Sequence, residues 1–252
     1  MVNWDIQFKR MISISNIKKE LKENGFVLIK GFFLKTNEFQ KFNHNLIQFL
    51  KYATNSKKNT FDSLNIEVTK KFKKNKKISA FLNDNINKSP YLQKLLSSEK
   101  LIKLISKIFK ISNEKIILNN QRLRVQIPGN DNIANLPWHQ DSHYNLIKNT
   151  KSLVTWLSIS KIDKNMGPII FKKKSHKFGK LKKIKFKKSN GNFALKVNVN
   201  TKKIKNCKNI IVETNPGDLI LIDMNLVHAS GINKTENKIK FSAQARYHTV
   251  KK

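Results

Sequence analysis

Arg122-Leu123-Arg124-Val125-Gln126-Ile127-Pro128 is where the chain changes its period. Leu123, Val125 and Ile127 alternate with Arg122, Arg124 and Gln126, the two-residue repeat of a strand with one apolar and one polar face. Downstream the chain keeps this strand-like character. Short runs of it fall at Leu153 to Ile159, Ile169 to Phe171, Phe193 to Val199, Ile210 to Val212, Leu219 to Ile222 and Ile239 to Tyr247. Pro128-Gly129, Gly167-Pro168 and Pro216-Gly217 punctuate them as turns.

Upstream the period is helical. Ile17 and Leu21 begin an amphipathic segment with Ser15 as N-cap, and Asn24-Gly25 ends it. Phe26 to Phe32 reads as a buried strand. Phe39, Phe42, Leu46 and Leu50 share a helix face capped near Thr36. Residues 55–77 are rich in Lys and Asn with little periodicity, and read as a loop or weak helix. Leu101, Leu104, Ile105 and Ile108 form a stripe capped by Ser97 or Ser98. Helices and then many short strands predict an α+β fold with a β-sandwich or barrel. There is no internal repeat and no linker. The expectation is one domain over 1–252, mainly helical over 1–115 and β from 116 to 252.

Composition narrows the class. Hydrophobic residues make up 39% and Phe contributes 16, enough for a core, so a wholly disordered chain is excluded. No apolar run reaches the ~18 residues of a membrane span. Met1 to Arg10 holds no apolar segment of the secretory type. One cysteine, Cys207, excludes an intrachain disulfide framework and a Cys-based zinc site, and the cytosol is the expected compartment. The net charge is +35, from 47 Lys and only 4 Arg, beside 32 Asn. Lys and Asn have AT-rich codons, so a biased genome accounts for the charge without a polyanionic partner. Nucleic-acid readout also favours the planar fork of Arg, which is scarce here. Residues 172–188, with ten Lys and no acid, read as an exposed loop beside the site, which leaves an anionic substrate open.

The chemistry concentrates in Leu136-Pro137-Trp138-His139-Gln140-Asp141. In extended chain, His139 and Asp141 point to the same side. His228 lies 87 positions after Asp141, beyond the turn and strand Pro216-Gly217-Asp218-Leu219-Ile220-Leu221-Ile222-Asp223. Two His and one carboxylate on one face of a metal leave further positions open, the arrangement of non-haem Fe(II) oxygenases. His143 and Tyr144 are expected at the substrate pocket. His176 and His248 lack ligand spacing and read as structural.

The chain resembles the phytanoyl-CoA dioxygenase family of Fe(II)/2-oxoglutarate oxygenases. The resemblance runs through Asn24-Gly25-Phe26-Val27-Leu28-Ile29, Arg122 to Pro128, Leu136 to Asp141 and Thr155-Trp156-Leu157. It continues through Gly167-Pro168-Ile169-Ile170-Phe171, Ser175-His176-Lys177-Phe178-Gly179, Pro216-Gly217-Asp218, His228 to Asn233 and Phe241 to Tyr247. It implies a double-stranded β-helix, a cupin-like jelly-roll core with flanking N-terminal helices. It implies Fe(II) on His139, Asp141 and His228, with 2-oxoglutarate as cosubstrate and O₂. The far carboxylate of 2-oxoglutarate would meet Ser230 and, on the last core strand, Lys240, where the family has Arg. Arg246, on the same strand face, is the rival. Gln140 and Trp156 match positions near the cosubstrate, and Gln126, with Arg122 and Arg124, is expected at the barrel mouth.

The implied reaction is hydroxylation of a small-molecule or glycan-linked substrate, with release of succinate and CO₂. Family members that halogenate lack the carboxylate ligand, and Asp141 is present. Two other classes stay in view: a basic jelly roll that binds nucleic acid, and a cupin-like iron protein that does not turn over 2-oxoglutarate.

Overall fold

The computed structural model describes residues 12–75, 84–129, 135–144, 150–187 and 193–249. Met1 to Arg10, residues 76–77 and Lys188 lie outside them. Helices come first, among the described residues α1 (Ile14–Asn24), α2 (Asn37–Thr54), α3 (Phe61–Lys74), α4 (Pro90–Leu96) and α5 (Glu99–Phe109). The N-cap of α1 is Ser13 rather than Ser15. Ser13 has extended backbone and its Oγ accepts from the Asn16 amide, whereas Ser15 already lies in the first turn. Gly25 ends α1 at φ 85°, where a Cβ would meet His176 and Leu226 within 3 Å. Thr36 caps α2 and Ser98 precedes α5.

For residues 55–77 the structure takes the helical alternative: most of the segment is α3, capped by Thr60. Leu64, Val68 and Phe72 are buried four residues apart, one face of a helix. The remaining buried positions on that face, Asn65 and Thr69, are polar, which hid the stripe. Asn65 is clamped to the main chain of Ile239, donating to its carbonyl at 2.9 Å and accepting from its amide at 2.8 Å. Asn65→Ala is expected to cost about 1–3 kcal/mol, because both main-chain groups are then buried without a partner. Chemical denaturation checks this; a loss within error of zero would mean that α3 does not clamp the strand.

The strands are β1 (Phe26–Ile29), β2 (Ile116–Gln126), β3 (Ser152–Ser158), β4 (Ile169–Lys172), β5 (Lys183–Lys187), β6 (Phe193–Val197), β7 (Asn209–Val212), β8 (Leu219–Asp223), β9 (His228–Ser230) and β10 (Lys240–Thr249). Five form an antiparallel sheet in the order β1-β8-β3-β10-β2, and three form a smaller one, β7-β4-β9. β5 and β6 pair antiparallel as a separate two-stranded sheet. So the Lys-rich run 172–188 is not wholly a loop: it enters from β4, turns at Ser175–Phe178 and ends as β5. Lys180, Lys182, Lys183 and Lys185 are exposed, but Lys172 is buried, its ammonium 5.4 Å from the centre of the Trp138 ring.

Alternation explains how the large sheet serves two cores. Leu219 and Leu221 of β8, Leu153 and Leu157 of β3, Phe241 to Tyr247 at every second place of β10, and Leu123 and Val125 of β2 pack on the helices. The opposite face splits in two. Its β8-β3 half carries Ile220, Ile222, Val154 and Trp156, which close against Ile169, Phe171 and Val212 of the small sheet. Its β10-β2 half carries Lys240, Ser242, Gln244, Arg246, Arg124 and Gln126. That polar half is where the interior opens.

Candidate metal centre

The two His are brought together by main chain. His139 donates its amide to the His228 carbonyl at 2.9 Å and accepts in return from the His228 amide at 3.0 Å. This isolated antiparallel bridge sets the rings 4.2 Å apart, centre to centre. Asp141 lies on the same side of the chain and opens the short 3₁₀ turn Asp141–Tyr144. The ligand atoms of His139, Asp141 and His228 all lie within 4.8 Å of one another, and all three residues are buried.

The donor set fits a metal ion. Each ring Nδ1 faces a main-chain carbonyl two residues back, His139 on Pro137 at 2.7 Å and His228 on Leu226 at 2.9 Å. A carbonyl only accepts, so Nδ1 holds the hydrogen and Nε2 keeps its lone pair. Burial, reinforced by neighbouring His228, pushes His139 down to about 3, so it is neutral at physiological pH. Burial would raise the Asp141 carboxyl, but Arg246, then His228 and His139, overcome it and hold the group at about 2. Neutral imidazole and ionised carboxylate are the forms that bind divalent metals.

A pocket opens at the three residues, which form part of its wall. Gln126, Trp156, Ser230 and Lys240, all expected from the sequence, line it. Lys240 is 5% exposed, and its ammonium donates to the Gly167 carbonyl at 2.6 Å. Burial, then the charge of Arg124, pushes its pKa down to about 7. Gly167 sits at φ 67°, and a Cβ there would come within 2.7 Å of the Gln126 side-chain oxygen. Gln126 is held through its amide nitrogen, which donates to the Gly231 carbonyl at 2.8 Å.

Two expected residues lie elsewhere. Gln140 is buried, but outside the pocket: its amide donates to the carbonyls of Gly179 and Asn225, and its oxygen accepts from the Leu181 amide. The reason is alternation, since the residue between two inward ligands faces the other way. Arg246 is likewise not in the pocket wall; its guanidinium binds Asp141. His143 is tied to the Leu181 carbonyl at 2.8 Å, and Tyr144 packs under Arg246, so neither lines the pocket.

Arg124 lines the pocket and Arg122 is exposed, which separates two residues the strand alternation had grouped. The Arg124 Nε is buried with no hydrogen-bond partner among the described residues, and burial pushes its pKa down to about 10. Ser242 and Gln244 also face the pocket. Their shared strand face with Lys240 was the signal that pointed to them. Leu136, Val154, Ile169, Ile222 and Ala229 complete the wall.

The fold has solved relatives. The epimerase SnoN, crystallised with Fe³⁺, α-ketoglutarate and nogalamycin RO, matches with a TM-score of 0.64 at 12% identity, over 94% of this chain and 83% of that one. EvdO2 from Micromonospora carbonacea var. aurantiaca gives 0.62 at 13%, over 96% and 92%. EctD from S. alaskensis, with bound Fe, gives 0.62 at 14%, over 96% and 78%. At such identities the likeness shows a shared fold, the double-stranded β-helix with helical flank. No curated protein sequence matches the chain. The sequence model of phytanoyl-CoA dioxygenase (PhyH) does match, from residue 21 to residue 241. That span takes in β1, the His139–Asp141 pair, His228 and the start of β10, and on it the chain belongs to the phytanoyl-CoA dioxygenase family.

Proposed function

We propose that the protein is an Fe(II)/2-oxoglutarate-dependent oxygenase that hydroxylates a small-molecule or glycan-linked substrate. The observation that carries the reading is the convergence of three buried donors, two imidazoles and one carboxylate, on a pocket that Arg124 and Lys240 also line. His139 and His228 through Nε2, and Asp141 through one oxygen, would hold the iron. Bound there, iron and 2-oxoglutarate would supply O₂ activation, with succinate and CO₂ as the coproducts. The chain's own part is to place and shield the reactants. Lys240 and Ser230 stand to take the far carboxylate, and the unpaired Nε of Arg124 offers a second contact for an anion. Trp156, Val154, Ile169 and Ile222 exclude water from that end.

The family match covers residues 21–241, and residues 1–252 are taken as one such domain. SnoN is an epimerase, so the fold itself carries outcomes other than hydroxylation. Retention of Asp141 favours hydroxylation over halogenation. No helix among the described residues is long and apolar enough to cross a membrane. Succinate formation on adding Fe(II), 2-oxoglutarate and candidate small molecules tests the reading. Iron binding with no succinate under any substrate would instead favour an iron protein without turnover.

Lys240 gives the cosubstrate site a pH dependence that Arg would not have. Its ammonium is charged below about pH 7 and loses the proton above it. Carboxylate binding above that point must take up a proton, so the Kd for 2-oxoglutarate should rise about tenfold per pH unit. Lys240→Arg should flatten this limb, because guanidinium stays charged. Lys240→Ala should weaken binding by about ten- to a hundred-fold near pH 6.5, the worth of a buried charge-assisted bond of about 1.5–3 kcal/mol. Calorimetric titration of the metal-loaded protein from about pH 6 to about pH 9 measures all three. A flat wild-type profile would remove Lys240 from the site.

A further inference from the structure

Arg246 is a rival for the cosubstrate carboxylate by sequence, and the structure gives it a different partner. We propose that Arg246 is a positioning residue that confines Asp141 to a one-oxygen ligand and so keeps a metal position open for the cosubstrate; this rests on the metal-centre reading above. A carboxylate beside a metal can offer one oxygen or both. Here the two are not equivalent. Oδ1 accepts two bonds from Arg246, from Nε at 2.9 Å and from Nη2. Oδ2 faces the His228 Nε2 at 3.4 Å, inside the group of ligand atoms. Three ligands giving one atom each leave open the positions that a chelating keto acid and O₂ need. If Asp141 gave both oxygens, one of those positions would be lost.

The guanidinium is itself fixed. Arg246 lies within β10, paired to β3 on one side and β2 on the other, and is 8% exposed. Its planar group sits 5.4 Å from the centre of the Tyr144 ring. Tyr144 in turn accepts from the Leu195 amide of β6 at 2.9 Å and meets the His139 ring edge-on at 6.2 Å. Arg246 therefore delivers its charge to Oδ1 and not to the contents of the pocket, whose wall it does not join.

Water-proton relaxation of the Mn(II)-loaded protein, which counts exchangeable waters on the metal, tests this without turnover. Arg246→Met should lose one metal-bound water relative to wild type while still binding Mn(II). Its affinity for 2-oxoglutarate should fall about tenfold or more, the scale on which partners that orient a metal ligand act. Arg246→Lys, which keeps the charge on Oδ1, should restore the water. A residue that only supports the fold would weaken Mn(II) binding and leave the water count alone. Should Arg246→Met fail to fold, the count is read on Arg246→Gln, which is polar, shorter and without charge. Equal water counts and equal 2-oxoglutarate affinity in wild type and the neutral variant would overturn the proposal alone. A wild-type protein that takes up no Mn(II) would sink the metal-centre reading, and this proposal with it.

Discussion

Replacing Asp141 with Ala is expected to abolish both iron retention and succinate formation, and to destabilise the apoprotein as well. Two losses coincide at this residue. The ion loses its anionic ligand, and Arg246 is left buried beside Tyr144 with no counter-charge. Breaking a buried ion pair by removing one partner costs about 3–5 kcal/mol. His139→Ala and His228→Ala should lose metal and turnover equally but leave the Arg246–Asp141 pair intact, so their folding should suffer less. Iron content after anaerobic reconstitution, with thermal melts of the apoproteins, separates the two effects. Full iron retention by any one of the three variants would defeat the ligand assignment.

The same groups set an acid limit on stability. His139 has its folded pKa far below the ordinary value, so between pH ~6.5 and about 3 only the unfolded chain takes up the proton. That contribution to stability is lost as pH falls through this window. Asp141 is also depressed, to about 2, and its contribution is lost as pH falls from ~4 toward that value. Both act in one direction, and His139→Ala should remove the first limb of the acid decline.

Phe171→Ala is expected to produce the largest purely structural loss. Phe171 is fully buried in β4, pairs in register with His228, and stacks on Phe26 at 4.4 Å with the rings 18° from parallel. Its ring centre lies 6.1 Å from that of His228. Truncation removes an aromatic from a packed cluster and leaves a cavity, at about 3–5 kcal/mol. Because the cavity opens against a proposed ligand, metal affinity should fall together with the urea midpoint. Phe171→Leu, which fills much of the volume, should recover most of both. A loss under ~1 kcal/mol for Phe171→Ala would mean that the small sheet is not packed as described.

The change of period at Arg122 to Pro128 was enough to divide the chain into helical flank and β core, because side-chain direction alternates on any strand wherever it lies. The same rule placed His139 and Asp141 on one side, and it put Lys240, Ser242, Gln244 and Arg246 on one face. Caps such as Thr36 were equally legible, since capping is a contact between residues three apart. What local pattern cannot carry is the identity of the partner across the sheet. The His139–His228 bridge joins residues far apart in sequence, and only the closing of β9 beside Leu136 to His139 makes it. Lys240 and Arg246 share a face, yet strand register sends one into the pocket and the other to Asp141. Gln140 turned outward because the ligands on either side of it turned in. Helix α3 stayed hidden behind its lysines and the buried polar Asn65 and Thr69, whose partners are non-local or main-chain. Periodicity determines which side chains travel together; long-range pairing alone decides which of the two faces is the interior, and what each side chain meets there.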